Sequence, residues 1–206
     1  MTPVALVFDL GGVVCRFRPQ ARLAALSRAS GLGQDVVHRA LWGSGLDARA
    51  ERGALGSEEA VDAVLDALER RIDRPALIGA WSKAFVPNGP LCALVRELPR
   101  PLFAFSNNGP VFGECLAHEL GDVVSLFDRV VLSWQVSATK PDPAAFTRLA
   151  AALDIAPQAS VVVDDATENC RAARSVGFRA VRYRGPAALR RRLATWVPGP
   201  AAPGRA

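Results

Sequence analysis

What constrains this chain most is a set of five short β-rich runs: Val4 to Phe8, Pro101 to Phe105, Arg129 to Leu132, Ser160 to Val163 and Ala180 to Tyr183. Four of them are nearly continuous apolar stretches, as strands buried on both faces require, and helical patterns such as Pro143 to Leu153 and Glu168 to Val176 separate the later ones. This β-α-β-α order predicts an α/β fold built on a Rossmann-like, doubly wound parallel sheet. The rhythm breaks once. From about Phe17 to Asn88 no run reads as a strand, whereas amphipathic stretches recur, notably Glu58 to Ile72 with apolar Ala60, Val61, Val64, Leu65, Leu68 and Ile72. The expectation is a core of residues 1–16 and 89–197, an all-helical cap inserted over 17–88 after the first strand, and a Pro/Gly/Ala-rich flexible tail over 198–206. Pro19 marks the entry, and Pro87-Asn88-Gly89-Pro90 the return and expected hinge.

Composition narrows the function classes. The 206 residues, half of them hydrophobic, suffice for one compact domain carrying a smaller insertion. No apolar run approaches the roughly 18 residues that a bilayer crossing needs, and Asp9 stops the apolar start with no basic region before it. Neither a membrane protein nor a secreted one is expected. Cys15, Cys92, Cys115 and Cys170 form no CxxC pair, which favours reduced thiols and a cytoplasmic location over a zinc site or a disulfide framework. The net charge of +5 is spread along the chain, with a run of three basic residues only at Arg190 to Arg192, so no nucleic-acid surface is expected. Oligomeric state is not legible.

In an open α/β sheet, ligands bind beyond the carboxyl ends of the strands, so polar residues just after the apolar runs are the ones to collect. Strand one ends in Asp9-Leu10-Gly11-Gly12 and strand two in Ser106-Asn107-Asn108-Gly109; Thr139-Lys140-Pro141-Asp142-Pro143 follows strand three, and strand four ends in Asp164-Asp165. Singly, each has a plainer reading as a helix N-cap, a turn or a solvated helix start. Together, at one rim, they supply three carboxylates, a hydroxyl and a lysine, a set suited to phosphate and a divalent metal. Asp9, before a Gly-Gly turn, is placed to attack phosphorus, and Asp165 to join it in holding magnesium. Lys140 offsets phosphoryl charge, while Ser106 and backbone amides near Asn107 hydrogen-bond the phosphate oxygens.

The segments FDLGGVV, FSNNG, TKPDPAAF and VVVDDATENCRAARSVGF resemble the haloacid dehalogenase superfamily of phosphohydrolases. The segment AERGALGSEEAV in the helical region is similar to the "ERGxxS" stretch of one subgroup, that of the phosphatases acting on alpha-D-glucose 1-phosphate and of the amino-terminal phosphatase domain of epoxide hydrolases. The resemblance implies magnesium-dependent hydrolysis of a small phosphorylated metabolite through an aspartyl-phosphate on Asp9. It implies metal held by Asp9, Asp165 and the Gly11 carbonyl, with Asp164 and Asn169 behind them. Phosphate would be bound by Leu10, Gly12, Ser106, Asn107 and Lys140.

One departure bears on mechanism. In the superfamily the first motif usually reads Asp-x-Asp, the second Asp protonating the leaving alcohol and later activating water; here that position is Gly11. A general acid is typically worth 10²- to 10⁴-fold, so esters with good leaving groups, such as sugar 1-phosphates, are favoured over ordinary alkyl phosphates. Two alternatives stand beside the phosphatase. A catalytically silent protein of this fold would bind a phosphorylated ligand or a protein partner, an idea Gly11 sustains. A 2-haloacid dehalogenase would need no metal, which the Asp164-Asp165 pair argues against. Arg49, Glu51 and Arg52 are the candidates for recognising the leaving group; Arg16 and Arg18 for contacting an anionic substrate, Trp42 for lining its pocket, and Asn108 for a further substrate contact. His38 and His118 have no companion at ligand spacing, and Trp81 and Trp134 read as packing residues.

Overall fold

The structure, a computed structural model, describes residues 5–196. Val4 of the expected first strand and the expected tail lie outside the described residues. Among the described residues, eleven α-helices and seven strands follow one another, beginning with β1 (Ala5–Phe8) and β2 (Cys15–Phe17). Next come α1 (Pro19–Ser30), α2 (Gln34–His38), α3 (Leu46–Glu51), α4 (Ser57–Ala67) and α5 (Arg74–Ser82), and then β3 (Phe85–Pro87) and α6 (Gly89–Arg96). The rest alternates: β4 (Leu102–Ser106), α7 (Pro110–His118), α8 (Gly121–Val124), β5 (Arg129–Leu132), α9 (Pro143–Leu153), β6 (Ser160–Asp164), α10 (Thr167–Ser175), β7 (Arg179–Arg182) and α11 (Pro186–Leu193).

Five strands form one sheet in the order β5-β4-β1-β6-β7, every neighbouring pair parallel. The doubly wound α/β class is therefore the one the apolar runs predict. Alternate residues of each central strand enter different layers: Leu6 and Phe8, Leu102 and Ala104, Val161 and Val163 on one face, Val7, Phe103, Phe105 and Val162 on the other. Burial on both faces is why these strands read as continuous apolar runs. The first layer runs on into α1, α2, α4 and α5 through Leu26, Val37, Val61, Val64, Leu77 and Trp81. Among the described residues no helix is long and apolar enough to cross a membrane.

Two expectations need correction. The segment 17–88 is not all helical, because β2 and β3 pair antiparallel with Phe17 opposite Phe85, so the chain enters and leaves the helices through one ribbon. Strands of three residues are too short to show a period of two, and their partner lies far along the chain. The helical stretch from Glu58 stops at Ala67 rather than Ile72. There the chain turns through Glu69 and Arg70, both at positive φ, with Arg70 Nε donating to Asp66 Oδ1 at 2.5 Å, before Asp73 caps α5. Leu68 and Ile72 stay buried beneath the turn, which is why the apolar pattern outlasts the helix.

Candidate active site

β1 lies between β4 and β6, where the strand order reverses direction, the place where open α/β sheets bind ligands. Its ladder extends one residue beyond the strand: the Asp9 N–H donates to the Val163 carbonyl at 2.9 Å and fixes the carboxylate at the rim. Ser106 arrives at the end of β4, Lys140 from the loop before α9, Asp164 at the end of β6 and Asp165 just after it.

Lys140 organises this rim from beneath. Its Nζ donates to Asp9 Oδ1 at 2.8 Å, to Asp164 Oδ2 at 2.7 Å and to the Phe105 carbonyl at 3.2 Å, which engages all three ammonium hydrogens. Its backbone is clamped to the β4 loop, since its N–H donates to Asn107 Oδ1 while Asn107 Nδ2 donates to its carbonyl, both at 2.8 Å. Asp164, fully buried, also accepts from the Ala166 N–H and from Asn169 Nδ2 at 2.9 Å. Burial pushes Asp9 up to about 6 against the pull of Lys140, with Asp164 and Asp165 pushing it further. Burial works against the Lys140 charge, but Asp9 and Asp164 together outweigh it and hold the ammonium above its usual range.

Asp9, Asp164 and Asp165 each offer an oxygen within 4.8 Å of the others, and the one ammonium at the rim, that of Lys140, bonds two of them, Asp9 and Asp164. A hard-oxygen donor set with this excess of negative charge fits magnesium. Gly12 lets Asp165 close in: at φ +83°, a Cβ here would stand 2.2 Å from Asp165 Oδ2.

Above the rim opens a cavity of about 460 Å³. Its floor consists of Asp9, Gly11, Gly12, Ser106, Asn107, Asn108, Lys140, Asp165 and Asn169. Its upper wall comes from the ribbon and the inserted helices: Phe17, Pro19, Arg22, Trp42, Asp47, Glu51 and Phe85. Arg22 lies in an aromatic box, 4.5 Å from the Trp81 ring and 5.5 Å from that of Phe85, with Nε donating to the Trp81 carbonyl and a buried Nη2 that has no hydrogen-bond partner. Burial pulls its guanidinium down, and Asp47 and Glu51 push it back up. Burial raises Asp47, whose carboxylate accepts from the Trp42 indole at 2.8 Å. Glu51 is pushed up to about 8 by burial and then by Asp47, against Arg22 and Arg52.

Most of the residues singled out in the sequence thus meet in one cavity, and the exceptions have geometric reasons. The Leu10 side chain is buried in the core, so only its backbone is near the rim, and Asp164 lies behind Lys140 rather than on the surface. The Asn107 side chain is spent on the Lys140 clamp, and Asn108 donates to Ser106 Oγ at 2.9 Å. Arg16 and Arg18 are exposed and line no part of the cavity, because Phe17 between them takes the inward side. Arg49 and Arg52 are likewise exposed, since α3 turns Asp47 and Glu51, four residues apart, toward the cavity. His38 and His118 are exposed and outside it, Trp81 is buried, and Trp134 is half-buried. The sequence reading missed Arg22, Asp47 and Phe85; the i, i+4 pairing of Asp47 with Glu51 was the available signal.

A family model described as haloacid dehalogenase-like hydrolase matches residues 4–177. Phosphatase MT3486 of Mycobacterium tuberculosis (strain CDC 1551 / Oshkosh) is 24% identical over 189 residues, covering 87% of each chain. Among solved structures, a HAD family enzyme of Bacteroides thetaiotaomicron in complex with magnesium and inorganic phosphate aligns with a TM-score of 0.70 at 19% identity, over 88% of this chain and 94% of that one. A predicted HAD-like family hydrolase of Porphyromonas gingivalis aligns at 0.73 and 20%, over 94% and 98%.

Proposed function

This chain belongs to the haloacid dehalogenase-like hydrolase family, and from that premise we propose that it is a magnesium-dependent phosphatase acting on a small phosphorylated metabolite through an aspartyl-phosphate on Asp9. The observation that carries this reading is the rim itself, three converging carboxylates and one fully engaged lysine around a strand-end aspartate. The phosphatase and the magnesium-phosphate complex among the similar proteins support it.

Asp9 attacks phosphorus, the ester oxygen departs, and water then releases phosphate from Asp9. Ser106 and the backbone of the Leu10 to Gly12 and Asn107 segments hold the phosphoryl oxygens, while Lys140, whose hydrogens are spent on Asp9, Asp164 and the Phe105 carbonyl, offsets their charge from beneath. Asp9, Asp165 and the Gly11 carbonyl are the ligands for magnesium, with Asp164 and Asn169 behind them. Magnesium, when bound, withdraws phosphoryl charge and so lowers its repulsion from Asp9. The helical insertion acts as a cap whose wall of Trp42, Phe17, Asp47 and Glu51, with aromatic faces and hydrogen-bonding carboxyl groups, suits a sugar as leaving group. The "ERGxxS" resemblance points the same way. Four buried, unpaired cysteines fit a reducing cytoplasm.

The test is phosphate release from an aryl phosphate and a panel including glucose 1-phosphate, with and without magnesium, beside Asp9→Asn. Expected is magnesium-dependent release that the substitution abolishes. Gly11 favours a second reading, a phosphoryl-binding protein without turnover; release no greater than that of Asp9→Asn on every substrate would select it.

A further inference from the structure

We propose that Glu51 is the proton donor to the departing oxygen, reaching the reaction from the helical insertion. The proposal rests on the phosphatase reading and adds a residue to it.

An alkyl ester leaves as an alkoxide unless something protonates it, and the groups around the cavity narrow the choice. Asp9 is the nucleophile, Gly11 has no side chain, and all three Lys140 hydrogens are taken by Asp9, Asp164 and Phe105. Asp165 lies against Gly12 with the metal ligands, and Asp47 is engaged by the Trp42 indole. Glu51 remains, and its seat is fixed. Ser133 Oγ donates to the Glu51 carbonyl at 2.7 Å and accepts from the Asn108 N–H at 3.1 Å, so one hydroxyl ties Glu51 to the turn that follows Ser106. On either side, Ala50 packs on Gly109, and Gly53 at φ +70° lies on the Trp134 carbonyl, where a Cβ would sit 2.5 Å away.

Protonation agrees with this placement. Glu51 faces Asp47 on its own helix, Arg22 from α1 and the neighbouring Arg52, with Asp9, Lys140 and Asp165 across the cavity; Arg39 and the α4 acids Glu58, Glu59 and Asp62 are exposed. Burial outweighs the two arginines, and with a value of about 8 the carboxyl carries its proton at neutral pH. As the Asp9 oxygen bonds to phosphorus, the ester P–O bond breaks with its electron pair on the leaving oxygen. That oxygen takes the Glu51 proton and departs as the alcohol. Water then attacks phosphorus, the P–O bond to Asp9 breaks, and the Glu51 carboxylate takes up the proton that water loses.

The experiment compares kcat/KM for an alkyl phosphate and an aryl phosphate in wild type, Glu51→Gln and Glu51→Gln/Gly11→Asp. This ratio reports only the steps through leaving-group departure, and aryl phosphates need little protonation there. Glu51→Gln should lower the alkyl value by roughly 10²- to 10⁴-fold and the aryl value by under about tenfold. Retained aryl turnover also shows that the variant is folded. The wild-type alkyl profile should fall above about pH 8 and lose that limb in Glu51→Gln. Gly11→Asp should restore alkyl turnover in the double variant, since a Cβ at Gly11 meets only Phe17 and Phe85 at ordinary contact, 3.8 Å. An equal loss on both substrates, or no loss, overturns the assignment of Glu51. No magnesium-dependent aryl turnover in wild type instead overturns the phosphatase reading and this proposal with it.

Discussion

The positive φ at Gly12 does two things at once: it turns the chain after β1 and leaves room for the Asp165 carboxylate. Gly12→Ala adds backbone strain of about 1 to 3 kcal/mol and drives a methyl into the space Asp165 Oδ2 occupies. The Asp165 side chain is exposed and can swing outward, so the fold survives while the proposed magnesium ligand leaves its place beside Asp9. Magnesium titration of aryl phosphate release should shift to roughly 10- to 100-fold higher concentration in this variant. An unchanged titration would count against Asp165 as a ligand. Gly11, next to it, is not at positive φ, and a Cβ there would make only ordinary contacts with Phe17 and Phe85 at 3.8 Å, so no steric necessity requires its lack of a side chain.

At the scale of elements, α3 is the short helix that joins the two walls of the cavity. Its face carries Asp47 and Glu51 inward, and its exit at Gly53 docks on the turn after β5. Gly53→Ala places a Cβ 2.5 Å from a backbone carbonyl that has nowhere to go, at a φ that alanine resists. Urea unfolding should show a loss of about 2 to 4 kcal/mol, and a loss below about 0.5 kcal/mol would mean that the α3 seat is looser than described. Elements also decided what was legible in advance. Apolar β4 and β6 announced themselves because burial on two faces leaves no polar residue to break the run, and the acids and hydroxyl at their ends followed. The ribbon did not, because β2 and β3 are held by each other across a long stretch of chain. Arg22 and Asp47 stayed hidden for a related reason: a charged residue on a helix reads as solvated until its neighbours are known, and here those neighbours are Trp81, Phe85 and Trp42. The same blindness favoured Arg16, Arg18, Arg49 and Arg52, whose charge suited an anion but whose side of the element did not.

Across the whole molecule, one apolar layer continues from the sheet face at Phe8 and Ala104 into the inserted helices at Leu26, Leu41, Val64 and Leu77. A shared layer couples the two parts, so urea unfolding followed by far-UV circular dichroism and by tryptophan fluorescence should give one coincident transition. Two separated transitions would show that the helices hold together without the sheet. The ribbon described above adds a different consequence. Because Phe17 and Phe85 pair, the chain leaves the sheet domain and returns to it through a doorway about one strand spacing wide, roughly 5 Å. A segment whose two ends are already adjacent can grow, shrink or be exchanged without rethreading the sheet, provided that its replacement covers the same apolar face.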